Sequence, residues 1–183
     1  SQFGGKHPLS IPRVSAVLDL VRALGICDKE EYKTGPCAKP ELLKSFHTAD
    51  YIAVLKKTEV SQKISEKDAK TYNIGSLSNP VFPEMFKRPA TSVGSSLLAA
   101  DLVANGGRAY SLGGGLHHGM TGYANGFCFL NDLAFAINRL RDLGVQRIAY
   151  IDLDAHHCDG VAAAFPEDEN LFVVSTHERK RWP

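Results

Sequence analysis

The chain has no two cysteines in CxxC spacing, no apolar run near the roughly 20 residues that cross a bilayer, and no segment that banks Lys and Arg together. Each absence removes a class of function. The four cysteines, Cys27, Cys37, Cys128 and Cys158, match neither a zinc ribbon nor a dithiol redox motif, and two of them fall inside segments that read as core. Reduced thiols in a chain without a secretory leader are therefore expected, in an intracellular reducing compartment, the cytoplasm ahead of the nucleus. Lys and Arg number 21 against 20 Asp and Glu, so the formal net charge is +1. That balance gives no footprint for direct nucleic-acid binding or for a membrane surface. The one locally basic stretch, ERKR at 178–181, reads as a solvated loop.

What remains is an ordinary globular composition. At 183 residues, 44% hydrophobic and 22% charged, the chain can bury a real core, and one domain or a large piece of one is the default. Its abrupt ends, SQFGGKHP before the first helix and Trp182-Pro183 straight after a strand, favour a piece.

Pro12 followed by RVSAVLDLVRALG spaces Val14, Val17, Leu18, Val21 and Leu24 as one helical stripe closed by Gly25. ELLKSFHTADYIAVLKKTEV reads as two short helices, with Thr48 as N-cap of the second. The polar, Pro- and Gly-punctuated stretch from Ser61 to Pro89 reads as a long surface loop. A small-residue helix over 91–104, a strand over 108–112, a Gly-rich loop, an amphipathic helix ending at Gly144, a strand (RIAYIDLD), a short helix (VAAAFP) and a strand (LFVVSTH) follow. Helices alternating with strands predict a layered α/β fold with a mainly parallel sheet, and such sheets carry their sites at strand carboxyl ends.

Two unusual clusters fall at those ends. In RIAYIDLDAHHCD, strand alternation would put Asp152, Asp154 and His156 on one face. Two carboxylates so close repel by several kcal/mol unless one protonates or a cation sits among them. A carboxylate with an imidazole suits zinc or ferrous iron, and a catalytic centre wants three protein ligands plus an open position. For a bare DxD the commoner explanation is a pair of local caps beside a packed histidine; the adjoining HH and the location tip the balance toward a metal. The other cluster is His117-His118 in GGGLHHG. Its ring nitrogens suit acid and base work near neutral pH, each needing an orienting partner, for which Asp152 and Asp159 are the nearest candidates. Metal binding by both rings, or an inert surface pair, are the alternatives.

Together GGGLHHG, NGFCFLND, RIAYIDLDAHHCDG and FVVSTH resemble the histone deacetylase-like, zinc-dependent amidohydrolase family, acetoin-utilisation and class IV members most of all. The resemblance runs from HPLSIPR to the last residue. It implies the three-layer α/β arginase/deacetylase fold, incomplete here, with residues 1–183 forming part of a single catalytic domain that lacks its carboxyl-terminal part. It further implies that Asp154 and His156 bind Zn2+ (or Fe2+), that His117 and His118 activate water and protonate the leaving amine, and that Asp152 and Asp159 orient them. Gly126, Phe127 and Trp182 match the walls of a substrate tunnel. Asp152, Asp154, His156, Ser175 and Thr176 match a structural K+ or Na+ site; Phe165, Asp168 and Leu171 fall near a weaker second one. Arg13 matches an inner-channel arginine, a surface arginine being the alternative.

The implied reaction is hydrolysis of an acetyl or other acyl group from an amine, on an acyl-lysine protein or a small acetylated amine. Two departures qualify it. Ser78 stands where the family often carries a rim Asp, which weakens the case for peptide-like substrates. The third metal ligand, an Asp, and the transition-state tyrosine belong downstream of His177, so the remaining part of the domain is an expected partner. The isolated chain is expected to be inactive, since loss of an oxyanion donor alone costs roughly 10²-fold or more. A non-catalytic relative that holds an acylated ligand or a partner protein is the alternative, and arginase-like chemistry would require more Asp-rich metal motifs.

Overall fold

A computed structural model describes residues 12–182. The HPLSI part of the amino-terminal motif, and Pro183, lie outside the described residues. The elements in chain order are α1 (Arg13–Ala23), a 3-10 turn (Lys29–Glu31), α2 (Pro40–Leu43), α3 (Ala49–Ser61), α4 (Glu66–Tyr72), α5 (Lys87–Val103), α6 (Asp132–Asp142), β1 (Ile148–Asp152), α7 (Asp159–Ala164) and β2 (Leu171–Ser175).

Among the described residues the sheet has two strands, β1 and β2, paired in parallel with Ile148 opposite Leu171 and Asp152 opposite Ser175. Parallel strands need a crossover, and α7 supplies it. One face of the pair packs on Ile137, Cys158 and Val161. The other face, with Ile151 opposite Val174, leaves Ile151, Leu153 and Phe172 exposed. A larger core lies on the helical side, where Tyr51, Ile52 and Leu55 of α3 meet Ala90 and Val93 of α5 and Phe135 of α6. Side chains of that size contribute roughly 1.5–3 kcal/mol each when fully buried.

Two expectations are corrected. Ser61 to Pro89 is no surface loop: Ser65 caps α4 by accepting from the Asp68 amide, and Ile74, Asn79, Phe82, Met85 and Phe86 are buried. Pro80 and Pro83 lie among the bends and turns between α4 and α5, Pro89 sits in the first turn of α5, and the apolar residues around them join the buried cluster of α3 and α5. Residues 108–112 form no strand. A strand exists only with a neighbour to exchange hydrogen bonds, and among the described residues this segment has none; Tyr110 is 83% exposed.

Candidate active site

β1 delivers Asp152 to its carboxyl end and stops there. Asp154 and His156 therefore lie in the turn that follows, and strand alternation does not bring them together. Successive side-chain turns do. The Asp154 amide donates to Asp152 Oδ1 at 3.0 Å, and the His156 amide donates to Asp154 Oδ1 at 2.8 Å. Each carboxylate is thus partly compensated by backbone N–H groups before any cation is invoked.

The Gly-rich loop brings the tandem histidines onto this turn. His117 Nδ1 lies 2.8 Å from Asp152 Oδ2, and both side chains are almost fully buried. His118 Nδ1 lies 2.6 Å from Asp159 Oδ1, at the first residue of α7. A carboxylate only accepts, so each neutral ring carries its proton on Nδ1 and leaves Nε2 unprotonated. The two rings touch at a tilt of 39°, with centroids 3.9 Å apart. His117 Nε2 stands 3.8 Å from Asp154 Oδ1, which also receives His156 Nδ1 at 2.8 Å.

Electrostatics keeps all three carboxyls ionised. Burial by itself would raise Asp152, but the Tyr150 hydroxyl, the Asp154 amide and the His117 ring outweigh it and hold this carboxyl below the usual range. Asp154 is likewise lowered against its burial by the amide and ring of His156 and by His117. Asp159 is lowered against burial by His118, the Gly160 amide and Asn125.

The wall residues converge on the same place. Gly126 has φ +54, and a Cβ there would meet His118 Cδ2 at 2.3 Å, so only glycine lets the loop pass over the ring. Phe127 follows at φ +66, uncommon for an aromatic residue. Its ring lies 5.1 Å from that of Trp182, which also stands 5.9 Å from His118 and 5.7 Å from His156. The strand register lays Ser175 beside Asp152, and Thr176 donates from its amide to the Asp152 carbonyl at 3.0 Å. Arg13 opens α1, exposed and without an ion pair to another described residue, so the structure does not bring it into the cluster.

Asp154 and His156 offer a carboxylate and an imidazole, a donor set whose chemistry suits zinc or ferrous iron; here His156 Nδ1 and Asp154 Oδ1 face each other at 2.8 Å as hydrogen-bond partners. They fill two of three ligand positions. Among the described residues no three His, Cys, Asp or Glu side chains gather to hold a metal.

Sequence reasoning missed three groups here. Tyr150 donates to Asp152 Oδ2, the oxygen that also holds His117. Asn125 Nδ2 donates to Asp159 Oδ2 at 2.7 Å. Buried Asn79 accepts the Phe127 amide at 3.1 Å and ties that loop to Asn73 and Ala124. Tyr150 had a legible signal, being two residues before Asp152 on a strand. The two asparagines had none, because their partners are 34 and 48 residues away.

The chain is similar to proteins whose names fit this geometry. Residues 7–183 match the histone deacetylase domain. The acetoin utilization protein AcuC of Bacillus subtilis (strain 168) is 37% identical over 182 residues, covering 98% of this chain and 47% of that protein. AcuC of Staphylococcus aureus (strain MSSA476) is 34% identical, covering 97% and 46%. Two crystal structures superpose at 42% identity: an HDAC homolog complexed with SAHA, with a TM-score of 0.90 over 97% of this chain and 48% of that one, and an HDAC homolog from Aquifex aeolicus, with 0.88 over 94% and 46%. The chain thus spans about half the length of its relatives. From its clustered histidines and carboxylates to its superposed backbone, the chain belongs to the histone deacetylase domain family.

Proposed function

We propose that the protein to which this chain belongs is a metal-dependent hydrolase that removes an acyl group from an amine, either an acyl-lysine side chain or a small acetylated amine. One observation carries the reading: two buried imidazoles in contact, each bound through Nδ1 to its own carboxylate, beside an Asp–His pair of metal-ligand chemistry that lies 3.8 Å from the Nε2 of His117 and 5.8 Å, ring to ring, from His118. A binding module has no use for two oriented imidazoles.

In this reading Asp154 and His156 hold zinc, with ferrous iron as the alternative, and the ion when bound supplies a Lewis acid for water and the acyl carbonyl. The histidines move the protons. One Nε2 takes a proton from the attacking water, and an Nε2 of the pair returns one to the departing amine nitrogen. Asp152 and Asp159 hold the Nδ1–H groups, fix the tautomers and offset the positive charge each ring gains. Phe127 and Trp182, with Gly126 between the wall and His118, flank the acyl chain's approach. The HDAC homolog complexed with SAHA supports a ligand of this shape. Ser78, where a rim carboxylate is common in the family, favours substrates held by their acyl chain over those gripped by a peptide backbone. Two metal ligands alone hold zinc poorly, so the third ligand and an oxyanion donor are assigned to the remainder of the domain, and the isolated chain is inactive.

The test uses the full-length protein, with metal measured by elemental analysis and turnover on a fluorogenic acetyl-lysine peptide. We expect about one equivalent of zinc or iron, activity that a chelator removes and metal restores, and loss of roughly 10²-fold or more in kcat for His117→Ala or His118→Ala. Metal-free protein that neither turns over the peptide nor binds SAHA defeats the hydrolase reading in favour of a binder. Turnover by the 183-residue chain alone defeats the claim that it is incomplete.

A further inference from the structure

The stretch NGFCFLND runs from the tunnel wall into a helix, and its last two residues have no part in the reaction above. The structure gives them one. Asn131 and Asp132 open α6, and each is completely buried.

Asp132 reaches the loop just before the tandem histidines. Its Oδ1 accepts the Leu116 amide at 2.7 Å and the Gly115 amide at 3.1 Å, and its Oδ2 accepts the Ser96 hydroxyl of α5. Burial raises this carboxyl, while the Ser96 hydroxyl and the two loop amides oppose the rise. Gly114 lies so close that a Cβ would meet Asp132 Oδ2 at 2.6 Å. Asn131 reaches the loop just after the histidines: its Nδ2 donates to the Gly119 carbonyl at 2.9 Å. Gly119 in turn packs on the Leu130 carbonyl, 2.3 Å from where a Cβ would be. His117 and His118 are therefore the two residues of a short span pinned at both ends by neighbours on one rigid helix start.

We infer that the Asn131–Asp132 pair positions the tandem histidines, with Asp132 fixing the Gly115–Leu116 side and Asn131 the Gly119 side, so that both rings meet their carboxylates at once. The physical reason is register. The span carries two rings whose partners, Asp152 and Asp159, sit on different elements, β1 and α7, and a loop free to slide would satisfy one ring and lose the other. A buried carboxylate accepting three donors is a stiff anchor, and displacements of about 1 Å in a catalytic group are costly. The catalytic consequence rests on the hydrolase reading; the positional claim does not.

The experiment compares full-length parent protein with Asp132→Asn and Ser96→Ala, the second covering the case in which the first does not fold. The carboxamide of Asp132→Asn keeps the shape but loses the charge and one acceptor: its NH2 group either meets the amides of Gly115 and Leu116 or, turned the other way, faces the Gly115 amide and makes Ser96 accept where it now donates. Two readouts are taken: the downfield proton resonances of the Nδ1–H groups bonded to Asp152 and Asp159, assigned by their loss in His117→Ala and His118→Ala, and kcat and KM per active site titrated with SAHA. For Asp132→Asn the inference expects the resonances to broaden or vanish and kcat per titrated site to fall roughly 10- to 100-fold with KM within about threefold. Ser96→Ala should weaken the same signals and lower kcat about threefold or more. A merely structural role would reduce the titratable fraction and the Tm, leaving resonances and kcat per site intact; that result in whichever variants fold overturns the inference. Should the parent prove inactive while its resonances still vanish in Asp132→Asn, the positional claim stands and the hydrolase reading falls.

Discussion

His47 is 1% exposed, and both ring nitrogens are committed: Nδ1 donates toward the carbonyls of Met120 and Thr121 at 3.1 and 3.2 Å, and Nε2 accepts the Asn131 amide at 3.2 Å. A second proton would set an N–H against an N–H. Burial, opposed only in part by the two carbonyls, lowers its pKa from 6.5 to about 4. Because the folded value lies below the unfolded one, the unfolded chain takes up the proton first. The neutral ring's contribution is whole above pH 6.5 and is lost as pH falls from there toward 4, by up to about 3 kcal/mol. Denaturant titrations of the full-length protein at pH 7 and pH 5 should differ by this slope, and His47→Asn should be less stable at pH 7 yet shed most of the difference. An unchanged slope in the variant would remove His47 as its source. Nothing in the sequence marks this histidine, since SFHTAD reads as an ordinary helix junction and the ring's three partners lie 73 to 84 residues downstream. The clustering of the Asp152–Asp159 stretch was legible because its turns are local; the parts that hold it still were not.

At the scale of elements, the helices whose stops and stripes are written locally were readable, among them α1, α3 with Thr48 before it, and α6 ending just before Gly144. Where an end is fixed from elsewhere in the fold, local reading failed. The sequence places the start of α5 at about residue 91, whereas the helix begins at Lys87. The cause is Glu59, on α3, whose Oε1 accepts the amides of Phe86 and Lys87 at 3.0 and 2.9 Å and so caps α5 across 27 residues. This charged cap also meets the positive end of the helix dipole. Glu59→Ala should therefore cost about 1–2 kcal/mol, and Glu59→Gln less, since one acceptor survives. The comparison of unfolding free energies should show that order. Equal losses in the two variants would mean that side-chain packing, and no cap, accounts for Glu59.

At the scale of the whole molecule, the described residues leave the sheet covered unequally, and the sequence carries a sign of it. RIAYI is apolar on both strand faces, as in a sheet covered from both sides. Among the described residues only one of its faces is covered: Ile148 and Tyr150 pack on the small core, while Ile151 is 62% exposed, Leu153 77% and Phe172 on β2 69%. Helix α1 adds Val14, Leu20 and Leu24, all exposed, and buries no residue at all. A two-stranded sheet bare on one face is marginal by itself, and exposed apolar side chains of this size invite association. The relatives are about twice as long as this chain, and in the proposed longer protein the remaining polypeptide would cover that face. In hydrogen exchange, the β1 and β2 amides of the isolated 183-residue chain should therefore exchange far faster than those of α3 and α5, and a dye that binds apolar surface should light up on the chain. In the full-length protein the strand amides should slow to the rate of the helices and the dye signal should fall. Strand amides equally protected in both would show that the small core beneath β1 and β2 holds the sheet unaided, and would detach the site's rigidity from the rest of the domain.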